Sequence, residues 1–405
     1  MAGFTYIPAR QSEKSIDKFP RKRLISEQSR GNLCCGCCSV FDKEKVFLTN
    51  KSLKVGRHMA SIVDVAKHAG VSIATVSKVI NNYPSISRKT RLKVAESIEA
   101  LNYLPNAAAR GLVTKRSRLI GVFMHNLFTS PFVTELFAGM EERLGGSGYD
   151  LVYLSMKPED RHYSMLSHCR SRDVDGLIVI GIDREYPDLQ PLLKAEIPTV
   201  FVDTDLIGKR AGYITADNTR GILLAVAHLY GLGHRRVAFM TGDLNNIIGR
   251  SRFEGYQQGL RAFGLPYVSS YIVYGNYDKT QAAVEMAALL ALPEPPTAVI
   301  CTSDVMAAGA ISLIEASGKR VPEDVSVVGY DNTFVAEMSR PALTTVNQNI
   351  KQMGSRALGH LIGMIDDPDY APPVAIEPVE LIVRDSTAHC RDLITQVPAR
   401  KEEEA

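Results

Sequence analysis

Two stretches, Met59–Asn82 (MASIVDVAKHAGVSIATVSKVINN) and Tyr103–Arg118 (YLPNAAARGLVTKRSR), decide the architecture of this 405-residue chain. In the first, Ile62, Val65, Ala66 and Ala69 recur at i, i+3, i+4 and i+7 behind Ser61, whose hydroxyl suits an N-cap. The spacing predicts a short amphipathic helix that stops at Gly70. Ser72 is placed to cap a second helix, in which Val76 and Val79 face the first while Ile73, Ala74, Ser77 and Lys78 point outward. A third helix follows from Ser87, with Leu92, Ala95, Ile98 and Leu101 as its expected buried stripe. This is a helix-turn-helix, and the exposed face of its second helix is free to enter a major groove.

Pro105 forces its predecessor out of helical geometry and ends the three-helix unit. Asn106 then caps an Ala-rich segment reaching Val113, which is too short to hold as an isolated helix in water because nucleation dominates. It is expected to fold only against a partner. Lys115, Arg116 and Arg118 follow and are placed to reach phosphates.

Charge supports a polyanion at this end. Residues 1–58 carry 12 Lys/Arg against 5 Asp/Glu, and residues 59–118 carry 10 against 3, so a total of +3 hides a body with 11 more acids than bases. A basic head on an acidic body suits contact by the head alone. The bland alternative for the charge is a solvated basic face. Hydrophobic content of 45% is ordinary for a globular chain, and no apolar run reaches the roughly 18 residues of a membrane span. With no signal-peptide core at the start, a cytoplasmic protein without a membrane partner is expected.

From Leu119 the pattern changes to apolar runs alternating with helical stretches. LIGVFM, DLVYLSM, DGLIVIGI, TVFVD, VAFMTG, YIVYG, AVICTS, VSVVGY and VELIVRD read as strands, with amphipathic segments such as Phe132–Leu144 and Arg220–Leu232 between them. Strand–helix alternation implies parallel sheets wound on both faces, and about 270 such residues suggest two α/β subdomains. Ligands in such sheets bind beyond the carboxyl ends of the strands. The loops there offer HNLFTSPF, IIGRSRFEGY, Asp304 and Asp331-Asn332: carboxylates, a guanidinium, hydroxyls and an aromatic, which together suit a polyhydroxylated ligand.

DVAKHAGVSIATVSKVINN, continued by YLPNAAARGL, closely resembles the headpiece and hinge of the lactose/galactose repressor (LacI/GalR) family of bacterial transcription regulators, and the resemblance runs on to about Thr387. It implies an α/β fold: an N-terminal helix-turn-helix headpiece (59–104), a hinge helix and linker (105–118), two interleaved doubly wound subdomains of periplasmic-binding-protein type (119–390) and a tail (391–405). The chain would cross between the subdomains near Asp217, Thr345–Gln348 and Glu377. In the family the hinge helix forms on DNA beside its dimer mate, and Leu112 stands where an intercalating leucine stands. The implied DNA contacts are Ser72, Ile73, Ala74, Thr75, Ser77, Lys78, Asn106, Leu112 and Arg116. Asp217, Arg252 and Asp331 match effector-contacting positions, Ser303 stands where an Asn is common, and Phe128–Phe132 match the ligand-covering loop, so Phe128 and Phe132 join the effector set.

The expected function is therefore that of a homodimeric DNA-binding regulator, a repressor type, on palindromic double-stranded operator DNA. A small molecule, a sugar or sugar derivative, bound between the subdomains would control it. Each effector residue has a bland counterpart: Asp217 as a helix N-cap, Asp331 as a turn cap, Arg252 in a surface ion pair. A sugar-binding transport receptor would need a signal peptide and lack the headpiece. An enzyme is disfavoured, because GxxxxGK[ST], GxGxxG after a strand, HExxH and GxSxG are all missing. No cofactor or metal is expected. Residues 1–58 read as a disordered extension upstream of the resemblance, which begins at Met59. Their cluster Cys34, Cys35, Cys37 and Cys38 lacks the paired spacing of a zinc site. Cys169, Cys301 and Cys390 read as buried thiols.

Overall fold

A computed structural model describes residues 60–81, 83–104, 116–124, 129–157, 160 and 162–391 of the chain. Three helices open it, α1 (Ile62–Ala69), α2 (Ile73–Ile80) and α3 (Arg88–Ala100). Ser61 accepts from the Asp64 amide while Asp64 reaches back to the Ser61 backbone, a capping box, and Gly70 closes α1 at φ +60°, where a side chain would be strained. Ser72 caps α2 as expected, and Ser87, where the third helix was expected to begin, caps α3. Val65, Ala66, Ala69, Val76, Val79 and Val94 form the small core of the unit.

The third helix corrects the sequence reading. Its buried positions are Val94 and Ser97, with Ile98 and Leu101 half-buried, whereas Leu92 is 55% exposed and Ala95 also faces out. Val94, Ser97, Ile98 and Leu101 satisfy the same helical spacing. The polar Ser97 disguised that register; it is tolerated inside because its hydroxyl donates to the Lys93 carbonyl at 2.8 Å and lies 3.0 Å from His68 Nδ1.

The body begins with β1 (Leu119–Met124), α4 (Pro131–Leu144), β2 (Asp150–Tyr153), α5 (Met165–Ser171), β3 (Gly176–Ile180), α6 (Leu189–Leu193), β4 (Thr199–Val202) and β5 (Ala211–Ala216). After Asp217 the chain enters a second lobe through α7 (Asn218–Gly231), β6 (Val237–Thr241), α8 (Ile247–Ala262), β7 (Ile272–Tyr274), α9 (Lys279–Leu290), β8 (Ala298–Cys301), α10 (Asp304–Ala316), β9 (Ser326–Asp331), α11 (Phe334–Met338) and β10 (Thr344–Asn347). It returns to the first lobe as α12 (Ile350–Asp366) and β11 (Val374–Glu377), then crosses a third time into β12 (Glu380–Ile382). The three expected crossings are present, but the second begins only at Gln348, because residues 345–347 belong to β10.

The first sheet runs β11-β5-β4-β3-β1-β2 and the second β12-β10-β9-β8-β6-β7. Both are parallel except for β12, which pairs antiparallel to β10. Alternation along the strands fills both faces. Ile120, Val122 and Met124 join the core under α4 and α12, while Phe123 joins the opposite one; Val299 and Cys301 likewise face away from Ala298 and Ile300. Three strands escaped the sequence reading. β5 is interrupted by Gly212, β10 is half threonine, and β11 follows Pro372-Pro373, so none shows an apolar run. The three cysteines outside the N-terminal cluster are buried and unpaired. Among the described residues no helix is long and apolar enough to cross a membrane. Residues 1–58, the hinge segment with Asn106 and Leu112, Phe128, and the tail beyond residue 391 lie outside the described residues.

Candidate effector cleft and DNA interface

In each sheet the strand order reverses beside its first strand, between β1 and β3 in one lobe and between β6 and β8 in the other, and a crevice opens there beyond the carboxyl ends. The two crevices meet in one cavity of about 610 Å³. Thr129–Phe132, Gly181–Arg184, Asp203 and Thr204 line it from the first lobe. Asn246–Ile248, Arg252, Asn276–Lys279, Ser303, Asp331, Thr333 and Gln348 line it from the second lobe and its crossing. Four of the nine non-glycine residues with positive φ among the described residues, Asp203, Asn276, Tyr277 and Asp331, stand in this lining. Backbone strain of this kind concentrates where a fold holds side chains for function.

Arg252 is the floor of the cavity, 3% exposed. Its Nε donates to Asn218 Oδ1 at 2.7 Å, its Nη1 to the Thr302 carbonyl at 2.6 Å, and its Nη2 lies 3.9 Å from Asp331 Oδ1. The last distance is an ion pair without a direct hydrogen bond. Burial works against the guanidinium charge, but Tyr330 and Asp331 outweigh it and hold the proton above the ordinary arginine value. Burial pushes the Asp331 carboxyl well above the usual range, and Arg252 draws it back down. Asp203, approaching from the other lobe, is pushed up by burial in the same way, against the Thr215 hydroxyl that donates to it at 2.8 Å and the field of Arg252.

Ser303 is where the sequence put it, in the cavity wall, but its hydroxyl is engaged as the N-cap of α10, accepting from Met306 N at 3.2 Å. Phe132 lines the cavity from the first turn of α4. Asp217 is a correction: its carboxylate caps α7, accepting from Arg220 N at 3.0 Å, and it is not in the lining. Its neighbour Asn218 bonds Arg252 instead. The sequence reading missed Asp203, Tyr277 and Gln348. Asp203 closes the run TVFVD, so the carboxyl-end rule would have found it. Tyr277 follows β7, its ring lying over Gly242, where a Cβ would come within 2.1 Å of Tyr Cε2. Gln348, fully buried, donates from Nε2 to Asp331 Oδ1 at 2.6 Å, while its Oε1 has no partner.

The outward face of α2 has the expected composition. Ile73 is 47% exposed, Ser72, Ala74 and Lys78 are exposed, and Thr75 and Ser77 are half-buried. Ser72 and Thr75 share a capping contact, with their hydroxyls 2.9 Å apart. Arg116, expected to reach a phosphate, is engaged with the body of the chain. Its guanidinium pairs with Asp366 and donates from Nη2 to the Ile365 carbonyl at 3.0 Å, and the Asp366 hydrogen bond keeps its proton above the ordinary value.

Comparison with known proteins agrees with both parts. Residues 61–106 match the model of bacterial regulatory proteins of the lacI family, and residues 226–387 match the periplasmic binding protein-like domain. The HTH-type transcriptional repressor PurR of Mannheimia succiniciproducens is 34% identical over 332 residues, covering 81% of this chain and 98% of the relative. A Lac repressor dimer solved on operator with the anti-inducer ONPF is 29% identical, with a TM-score of 0.71 over 81% of this chain and 99% of its own. A complex of the transcriptional regulator CelR with cellobiose is 32% identical, with a TM-score of 0.59 over 81% of this chain and 99% of its own. These relatives are DNA-binding regulators of transcription and not enzymes, and this chain, with its lacI-type helix-turn-helix and two-lobed body, belongs to the LacI family.

Proposed function

We propose that the protein is an effector-controlled regulator that binds palindromic operator DNA as a homodimer in the cytoplasm, and that its effector is a sugar or sugar derivative held between the lobes. Residues 59–104 read the half-site, 105–118 link headpiece to body, and 119–390 hold the effector. One observation carries the sugar reading: Arg252 and Asp331 from one lobe and Asp203 from the other converge on a single cavity whose walls also present the rings of Phe132 and Tyr277. Carboxylates and a guanidinium bind neighbouring hydroxyls, and an aromatic face covers the apolar side of a sugar ring. Carboxylates from both lobes favour a neutral ligand. The relative solved with cellobiose is consistent with this class.

A ligand bridging both lobes favours closure, and only its difference in affinity between open and closed states shifts DNA binding. Calorimetry with neutral sugars, sugar phosphates and nucleosides, followed by operator binding with the ligand found, tests the reading. Asp331→Ala is expected to abolish the ligand response while leaving unliganded operator affinity nearly intact. An Asp331→Ala variant that binds the same ligand with unchanged affinity would place the effector elsewhere.

A further inference from the structure

Helix α12 begins at the cleft and ends at the linker. Gln348, one residue before its N-cap Asn349, is fully buried and donates to the strained Asp331 at 2.6 Å. Seventeen residues later, at ~1.5 Å each or about 25 Å away, its last turn receives Arg116 through the Ile365 carbonyl and Asp366. Between these ends the helix is locked to α4 backbone against backbone. A Cβ on Gly139 would lie 1.8 Å from the Lys351 carbonyl oxygen, and one on Gly354 2.0 Å from that of Leu136. Such contact fixes the first turns of α12 against α4, and buried Ala357, Leu358, Leu361 and Met364 carry the packing on to its far end, so displacement at one end reaches the other.

The linker has a second hold on the same lobe. Asp175, the residue before β3, accepts from Ser117 N at 2.9 Å, Ser117 Oγ at 3.0 Å and Arg118 N at 3.0 Å. Arg116 is thus tied to a helix while its two successors are tied to the sheet. Any shift of α12 against the sheet turns the linker about Ser117. Among the described residues the other two crossings are tied to each other and to α12, the Asp217 amide donating to the Glu377 carbonyl and Arg356 Nη1 donating to Glu377 Oε2 at 2.8 Å.

We propose that α12 is the coupling rod of the protein, with Gln348 sensing the position of Asp331 in the cleft and Asp366 passing the displacement to Arg116 in the linker. The proposal rests on the cleft being the effector site, but its test uses no effector. Gln348 and Asp366 are positioning residues.

The experiment measures operator affinity of the full chain by fluorescence anisotropy at one salt concentration, on a duplex recovered by selection from randomised DNA. Gln348→Leu, which breaks the contact with Asp331, is expected to change operator affinity by about fivefold or more, the usual scale of allosteric coupling. In an Asp366→Asn background the same substitution should change it far less, and the exchange Arg116→Asp with Asp366→Arg should restore the sensitivity. Equal fold-changes in both backgrounds, or no change from Gln348→Leu in the parent, would overturn the rod. Asp366 is half-exposed, so its substitution spares the fold. Should circular dichroism show Gln348→Leu unfolded, Gln348→Met, which keeps the chain length, serves in its place with the same two outcomes. A negative result speaks against the rod alone, whereas a failed sugar titration speaks against the cleft reading alone.

Discussion

The guanidinium carbon of Arg252 lies 3.7 Å from the centroid of the Tyr330 ring, so the base of the cavity is a cation seated on an aromatic face. Tyr330 is fully buried on β9, one residue before Asp331, and the strand that presents the carboxylate also supports its counter-charge.

Arg252→Lys keeps the charge but not the planar fork. One ammonium cannot reach both Asn218 Oδ1 and the Thr302 carbonyl while stacking on Tyr330, so a buried acceptor is left unsatisfied. Urea unfolding should show a loss of about 1–3 kcal/mol. An unchanged midpoint would mean that the guanidinium does not hold the two segments together.

Gly242→Ala tests the aromatic wall. The added methyl would meet the Tyr277 ring, and the backbone at Tyr277, already at φ +58°, has little freedom to yield. The ring should be displaced, weakening effector binding about fivefold or more if the overpacking of about 1–3 kcal/mol is felt at the wall, with the lobe still folded. Retained affinity in calorimetry would remove Tyr277 from the effector wall.

Asp304 gives a pH signature. Burial pushes its carboxyl up to about 6, against hydrogen bonds from Thr345 and Thr333. The folded value lies above the unfolded one of about 4, so the folded state holds the proton more tightly. Its contribution to stability is present below about pH 4 and is lost as pH rises through about 6. The melting temperature of the parent should therefore fall relative to that of Asp304→Asn between those values. A difference that does not vary with pH would show that Asp304 titrates normally.

Lys78→Ala addresses the DNA face. Lys78 is exposed on α2 and is placed to approach guanine O6 or N7 in the major groove. Its loss should relax preference at one position per half-site by about 1–3 kcal/mol, whereas loss of a phosphate contact would weaken all sequences alike. Randomised-site selection distinguishes the two, and an unchanged consensus excludes base reading by this residue.

The sequence alone determined most of the headpiece: the caps Ser61 and Ser72, the start of the third helix at Ser87, the stop at Gly70 and the outward face of α2 depend on residues within a turn of one another, and local geometry expresses them directly. It also determined nine of the twelve described strands and the alternation that winds the two lobes, because apolar periodicity records which face is buried. The tertiary structure alone decided what depends on distant partners. Which face of α3 is buried turned on His68 meeting Ser97. Arg116 was drawn to Asp366, 250 residues away. Tyr277 and Gln348 met Asp203 in one cleft only because three crossings bring separate segments to one crevice. Pairing of buried polar groups across such separations is set by packing, and a linear pattern carries no trace of it.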